Sequence, residues 1–360
     1  MRPLLFILLS ACSGKISETA SNTTDDADIQ DGSNDGSDDG SDDGSNDGSS
    51  DGTGDGSDGP TPGDDDGDED TPDDEDDTTP PDEDDEDDED DDMTPGADLP
   101  DLSSPGPTEV NASSGSYTTS DGCDLSYERY TPYEPTTDGE VFVLHGFMRS
   151  LSEFSELAEH LASWGMTTTT VTMCHSSVVD IQPVQNAADV IELADHLGAP
   201  NVVWMGHSNG GVSAMIAGAM EPAYTEAVLG LDPVEAITGD GSDYAVGLDV
   251  PLAAMFGEPD SCNSDNSGFP VFDAATDARL LRLTEADHCN FEAPTNWLCT
   301  LTCARTKATY SDAMISDTIF SMSTAWALGH LEDGFDMRPW WTPAGAIQSN
   351  LRSAGAVSSL

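Results

Sequence analysis

The chain has 360 residues and a formal net charge of −62, and residues 1–110 hold 39 of its 72 acidic but only 2 of its 10 basic side chains. Charge of that sign and size disfavours nucleic acid and anionic membrane faces as partners, because both are repelled across the Debye length at ordinary salt. Composition separates a first hundred residues rich in Asp, Gly, Ser, Pro and Thr from about 250 residues of globular composition, enough for one large core.

In chain order, the first segment reads as a processing signal: Arg2 supplies positive charge, Leu4 to Leu9 form a short apolar run, and Leu9-Ser10-Ala11-Cys12 follows. These residues resemble the bacterial lipobox. The resemblance implies a signal peptide over 1–11, cleavage before Cys12, and a lipid on Cys12 that supplies the only membrane contact. The expected location is the bacterial cell envelope, as an outer-membrane or surface lipoprotein or a secreted form, in an oxidising compartment. From 12 to 112 the chain carries DGSDDG-type repeats and then an Asp/Glu run with almost no apolar residues. It cannot bury enough surface to offset ordering entropy, so a disordered, self-repelling stalk is expected. Calcium-loop spacings occur in it, but without a closing Glu and flanking apolar helices.

The remaining segment, 113–360, alternates strand-like with helix-like stretches, which predicts an α/β fold with a mostly parallel sheet covered by helices. Val141 to Leu144 is a short apolar strand ending in His145-Gly146-Phe147, and Leu151, Phe154, Leu157, Ala158 and Leu161 then recur at helical spacing. Thr167 to Met173 is β-branched, and Val184 to Leu197 is helical, with Pro183 at its start and Gly198 at its end. Val202 to Met205 is a strand that runs into Gly206-His207-Ser208-Asn209-Gly210, and Val212 to Met220 is the helix beyond. Strands follow at Ala227 to Leu231, Leu252 to Phe256 and, as the last, Arg279 to Leu283, before a terminal helix from about Ala313 to Leu331.

A serine set between two glycines, after an apolar strand and before a helix, suits a tight turn that lifts its hydroxyl above the sheet edge. Side chains at Gly206 or Gly210 would clash with backbone in such a turn. A serine hydroxyl needs a base to take its proton, and His288, just after the last strand, is the histidine whose place in the chain fits. His160 and His196 fall within helices, His207 adjoins the serine, His145 belongs to another loop, His175 follows an early strand, and His330 ends the terminal helix. Two acids could orient His288: Asp232, at the end of the strand after the Ser208 helix, and Asp260, one strand later. The backbone amides of Phe147 and Asn209 are the expected donors to an oxyanion.

Leu144-His145-Gly146-Phe147, Gly206-His207-Ser208-Asn209-Gly210-Gly211 and Gly230-Leu231-Asp232-Pro233-Val234 together resemble chlorophyllases and their bacterial relatives within the α/β-hydrolase superfamily. That resemblance implies an α/β-hydrolase fold and favours Asp232 as the acid. Glu258-Pro259-Asp260-Ser261 is similar instead to the acid loop of cutinase-like polyester hydrolases, which favours Asp260. The short interval after Val234 leaves no room for a large lid. The expectation is a monomeric serine esterase acting through an acyl-enzyme on a small-molecule, lipidic or polymeric ester. An acyltransferase or peptidase with the same residues, or a retired hydrolase fold used for binding, is the alternative.

Cys123, Cys174, Cys262, Cys289, Cys299 and Cys303 form an even set that suggests three disulfides. Cys262 with Cys289 is the expected pair, since each follows a loop residue that should face the site. Cys299 and Cys303, four apart, could share a helical face. None of these spacings is that of a zinc ribbon, so neither a metal nor a cofactor is expected.

Overall fold

The computed structural model describes residues 99–235 and 238–360. The expected signal segment, the lipidation site at Cys12 and the acidic stalk up to 98 lie outside the described residues. The strands are β1 (Val110–Thr118), β2 (Asp124–Pro132), β3 (Glu140–Leu144), β4 (Thr167–Thr172), the short hairpin β5 (Ser176–Ser177) and β6 (Asp180–Ile181), β7 (Val202–His207), β8 (Thr225–Leu231), β9 (Leu252–Phe256), β10 (Arg279–Leu283) and β11 (Val357–Ser359). The helices are α1 (Ser155–Ser163), α2 (Pro183–Leu197), α3 (Asn209–Met220), α4 (Gly241–Ala245), α5 (Phe269–Phe272), α6 (Trp297–Cys303), α7 (Asp312–Leu331), α8 (Arg338–Trp341) and α9 (Ala346–Ala354).

Nine strands form one sheet in the order β1-β2-β4-β3-β7-β8-β9-β10-β11. From β4 to β10 all neighbours are parallel, while β1–β2, β2–β4 and β10–β11 are antiparallel. The central parallel strands β3, β7 and β9 are mostly apolar and wholly buried because both faces are covered. Their period-two alternation divides the core in two. Val141, Val143, Val203, Met205, Leu229 and Met255 pack toward Leu157 and Leu161 of α1 and Ile319 and Trp326 of α7. Phe142, Leu144, Trp204, Val228, Ala254 and Phe256 pack toward Val190 and Leu193 of α2 and Val212 and Met215 of α3. Pro183 opens α2 with its fixed φ, and Gly198 ends it in the left-handed conformation at φ 71°, as the sequence pattern predicts.

Three expectations change. The folded part begins before Ser113: Leu102 is buried in the core, its carbonyl faces His160 Nε2 at 3.0 Å, and Gly106 N donates to Ser163 Oγ at 2.7 Å. Prolines and polar residues around that single apolar anchor hide it from a composition reading. Arg279–Leu283 is not the last strand, because β11 pairs with it from the far end of the chain. Nor does α7 end the fold, since α8 and α9 follow and place Trp340 and Trp341 in the core. Among the described residues, the stretch between β8 and β9 carries only the five-residue α4, and no helix is long and apolar enough to cross a membrane.

Candidate active site

Five of the six parallel strands, β3, β7, β8, β9 and β10, are followed at one edge of the sheet by the residues singled out from sequence. Open parallel sheets collect their chemistry there, because every strand delivers a loop to the same crevice. Ser208 occupies the turn between β7 and α3 at φ 57° and ψ −129°, a backbone conformation unfavourable for a residue with a side chain. The turn is over-determined by its neighbours: Ser208 N donates to Leu231 O, and Ser208 O accepts from Gly211 N and Val234 N, all at 3.0 Å. A methyl on Gly206 would stand 2.1 Å from Gly210 O, and one on Gly210 would stand 2.3 Å from His145 O, so both positions require glycine.

His288 is the first residue of a 3-10 turn, His288–Phe291, after β10. Its Nδ1 donates to Asp232 Oδ2 at 2.6 Å, and the Asp232 side chain has no solvent exposure. Asp232 also accepts from Gly257 N at 2.9 Å and from Asn263 Nδ2 at 3.2 Å. With one oxygen on the imidazole and fixed donors on both, the carboxylate stays paired away from water, the condition under which a buried charge is tolerated. Asp260 is not brought to His288. Its Oδ1 instead accepts from Cys262 N at 2.7 Å and Asn263 N at 3.2 Å, and its Oδ2 lies 3.9 Å from Arg305.

The imidazole of His288 lies beside the serine turn: its ring centroid is 4.3 Å from that of His207, and its carbonyl accepts from His207 Nε2 at 3.1 Å. Ser208 Oγ makes no hydrogen bond to His288, and both side chains are mostly enclosed. Burial first, and then the neighbouring His288 and Arg149 charges, hold the His207 imidazole well below its ordinary range. It is therefore a neutral spacer between the serine and the His288 backbone.

The loop after β3 passes over the serine so closely that a methyl on Gly146 would meet Ser208 Cβ at 2.7 Å. His145 shapes this loop. Its Nδ1 donates to Gly146 O at 2.7 Å, its Nε2 accepts from Met173 N at 2.9 Å, and burial pushes its pKa down to about 4, so it remains neutral. Neither the Phe147 nor the Asn209 amide donates a hydrogen bond within the described residues. The Asn209 amide stands in the first turn of α3, where an unused N–H and the helix dipole both favour negative charge.

Four features of the site escaped the sequence reading. Asn263, fully buried, carries the Asp232 carboxylate on its amide and accepts from Asp260 N and Asn266 N. Arg149 pairs with the buried Glu292, joining the Phe147 loop to the segment after His288. Asp287 accepts from Cys289 N, Arg305 N and Lys307 Nζ. Burial pulls the Lys307 ammonium down, but bonds to Asp287 and Asp312 outweigh it and leave the pKa raised.

The disulfides are Cys123–Cys174, Cys262–Cys303 and Cys289–Cys299. The expected Cys262–Cys289 bond does not form. Helix α6 lies between those two loops and presents Cys299 and Cys303 one turn apart, so each loop is fastened to the helix rather than to the other. No protein-family model matches the chain and no curated protein matches it, which leaves the chemistry of the residues themselves to define what the site does.

Proposed function

We propose that the chain is a serine ester hydrolase of the α/β-hydrolase type, with Ser208 as nucleophile, His288 as general base and Asp232 as the acid that orients it. The single observation that carries this reading is the 2.6 Å bond from His288 Nδ1 to the enclosed Asp232 carboxylate, made by an imidazole beside a strained Ser208 turn. An Nδ1 proton committed to Asp232 leaves the Nε2 lone pair free to take the serine proton. Ser208 Oγ then attacks the ester carbonyl while the Phe147 and Asn209 amides receive the oxyanion. His288 passes the proton to the leaving alcohol, and water releases the acyl group by the same route. Catalytic hydrogen bonds are often long in the unliganded state and tighten only when substrate arrives, so the Ser208–His288 contact is expected to form on substrate binding.

The strand order, with one antiparallel hairpin before a parallel run, supports the hydrolase reading of the sheet. Exposed apolar side chains on segments tied to the site favour a bulky, lipidic or polymeric ester. Met148 and Val179, the latter 94% exposed, come from the Phe147 loop and the β5–β6 hairpin, while Trp297, 75% exposed, stands on α6. These segments are tied to the site by Met148 N donating to Ser176 O at 2.8 Å and by the Cys289–Cys299 bond. Such exposed apolar residues mark a contact surface when they gather at one crevice.

Exchange of Ser208 for Ala is expected to lower turnover of a short p-nitrophenyl ester by about 10⁴-fold or more, to abolish labelling by a fluorophosphonate, and to leave thermal unfolding within about a degree. Hydrolysis retained by the Ser208→Ala variant refutes the assignment. A wild-type chain that neither labels nor turns over esters points to a binding role.

A further inference from the structure

A second histidine, outside the proposed catalytic set, is surrounded by carboxylates. Cys174 follows β4 and is bonded to Cys123 in the turn between β1 and β2. That bond brings His175, one residue after Cys174, next to Asp121, two residues before Cys123. Helix α2 supplies the third member, Asp189. His175 Nε2 lies 3.8 Å from Asp121 Oδ2 and 3.8 Å from Asp189 Oδ2, too long for a hydrogen bond to either. The three ligand atoms all lie within 4.8 Å of one another.

Two features point to a ligand among these atoms. The Asp189 side chain is 1% exposed; its Oδ1 accepts from Gln185 at 2.9 Å, but its Oδ2, like His175 Nε2, has no hydrogen-bond partner. A carboxylate oxygen held out of water without a donor is costly unless a positive charge meets it. Second, the outer nitrogen of the ring is already oriented. His175 Nδ1 donates to Asp180 Oδ2 at 2.7 Å, and Asp180 Oδ1 is itself held by Gln182 at 2.5 Å. A proton fixed on Nδ1 by a carboxylate leaves Nε2 as a lone pair, the arrangement that directs an imidazole toward a metal. The His175 backbone is likewise locked: its N–H donates to Asn186 Oδ1 at 3.1 Å, and Asn186 Nδ2 donates to its carbonyl at 2.9 Å, one turn of α2 before Asp189.

We propose that Asp121, His175 and Asp189 bind a divalent first-row transition cation of the zinc class, in a structural role. Two carboxylates and one neutral imidazole present two negative charges to a doubly charged ion and leave positions for water. Zinc bonds to such ligands are roughly 2.0–2.2 Å and tetrahedral, which sets ligand atoms roughly 3.4 Å apart, so His175 Nε2 and each carboxylate oxygen, 3.8 Å apart here, would draw together on binding. A nitrogen donor with so few oxygens suits zinc and its neighbours better than calcium, which takes six or more oxygens. The ion would fasten the β1–β2 turn to α2 and to the segment after β4. That segment also carries the Met173 amide on His145 and the Ser176 carbonyl on Met148. The proposal does not depend on the hydrolase reading.

The test uses the full chain, titrated with Co²⁺ after chelator treatment and compared with His175→Gln and Asp189→Asn, so that uptake by the acidic segment is common to all three. The wild type is expected to take up one more equivalent than either variant, with visible d–d absorption of a low-coordinate N/O site that Zn²⁺ removes. Saturating Zn²⁺ should raise the unfolding temperature of the wild type by several degrees and leave His175→Gln unmoved. Equal uptake and equal thermal shifts in all three overturn the proposal. A His175 ring found doubly protonated by NMR at neutral pH, with no extra cobalt bound, also overturns it, because the carboxylates would then pair with an imidazolium. Should the buried changes prevent folding, Asp121→Asn alters the exposed ligand alone and is expected to lower the affinity at least tenfold.

Discussion

His288 and His175 begin from the same contact and diverge. Each donates Nδ1 to a carboxylate, at 2.6 Å and 2.7 Å, and each adjoins a cysteine held in a disulfide. What faces the other nitrogen decides the chemistry. Around His288 it is the strained Ser208 turn and two unused amides, which in the proposed hydrolase would receive an anion. Around His175 it is two more carboxylates, which in the proposed site would receive a cation. The orienting acids differ in the same sense, since Asp232 is wholly enclosed whereas the Asp180 side chain is 36% exposed. A carboxylate on Nδ1 is therefore a positioning device shared by both centres, and it does not by itself distinguish a base from a ligand.

The largest effect should come from removing that device where turnover depends on it. Asp232→Asn keeps the shape but reverses the hydrogen-bond demand on Nδ1, and is expected to lower kcat for an ester by about 10⁴-fold. Asp260→Asn disturbs only the turn at Cys262 and Asn263, and should cost less than about tenfold. Comparable losses from both, measured by steady-state kinetics, would break the distinction between the two acids.

The disulfides sharpen the comparison next. Paired Cys→Ser changes at 123 and 174 release a loop of sequence separation 51, against 10 for the pair at 289 and 299. In the chain-entropy description these differ, at about 4 and about 3 kcal/mol. Calorimetry should show the larger fall in unfolding temperature for the first pair. Ester turnover should fall more for the second, because Cys289 adjoins His288. The reverse pattern of activity would mean that the Phe147 loop, backed by the segment after Cys174, limits the site more than the His288 turn does.

What was legible in the sequence followed local rules. Gly206 to Gly210 between an apolar strand and a helix, Pro183 and Gly198 at the ends of α2, and a histidine after the last parallel strand are all short-range signals. They located Ser208 at its turn and singled out His288, whereas the choice of Asp232 over Asp260 rested on the resemblance carried by Asp232-Pro233 and not on any local rule. The remainder depended on distant partners. β1 and β2 are built from Ser, Thr and Tyr with little apolar alternation, and β11 is three residues long, so their pairing has almost no local signature. Cysteine spacing could not show that α6 lies between the loops of Cys262 and Cys289. Asn263 lies in a polar Asn-Ser-Asp-Asn run, and only the fold shows that this one amide is enclosed against Asp232. The His175 cluster draws on three segments that a disulfide and a helix bring together, so no local spacing in the sequence announces it.

His330 offers a third case, an imidazole with no carboxylate on either nitrogen. Its ring meets Trp326 edge-on at 4.5 Å, its Nε2 is buried without a partner, and burial, with Arg279 adding to it, pushes its pKa down to about 4. Above pH 6.5 the folded and unfolded chains both hold this ring neutral, and it makes no difference to stability. Between 6.5 and about 4 the unfolded chain binds a proton that the folded chain refuses, so stability falls as pH falls and levels off below the folded value. His330→Phe keeps the ring on Trp326 and removes this loss. Between pH 7.5 and pH 5 the variant should therefore lose about 1–2 kcal/mol less unfolding free energy than the wild type, read from urea midpoints. His145, also held near 4, contributes in the same direction to both proteins and leaves the difference intact. An identical acid loss in the two would show that His330 takes up its proton in the folded state, and that burial without a carboxylate does not keep an imidazole neutral in this chain.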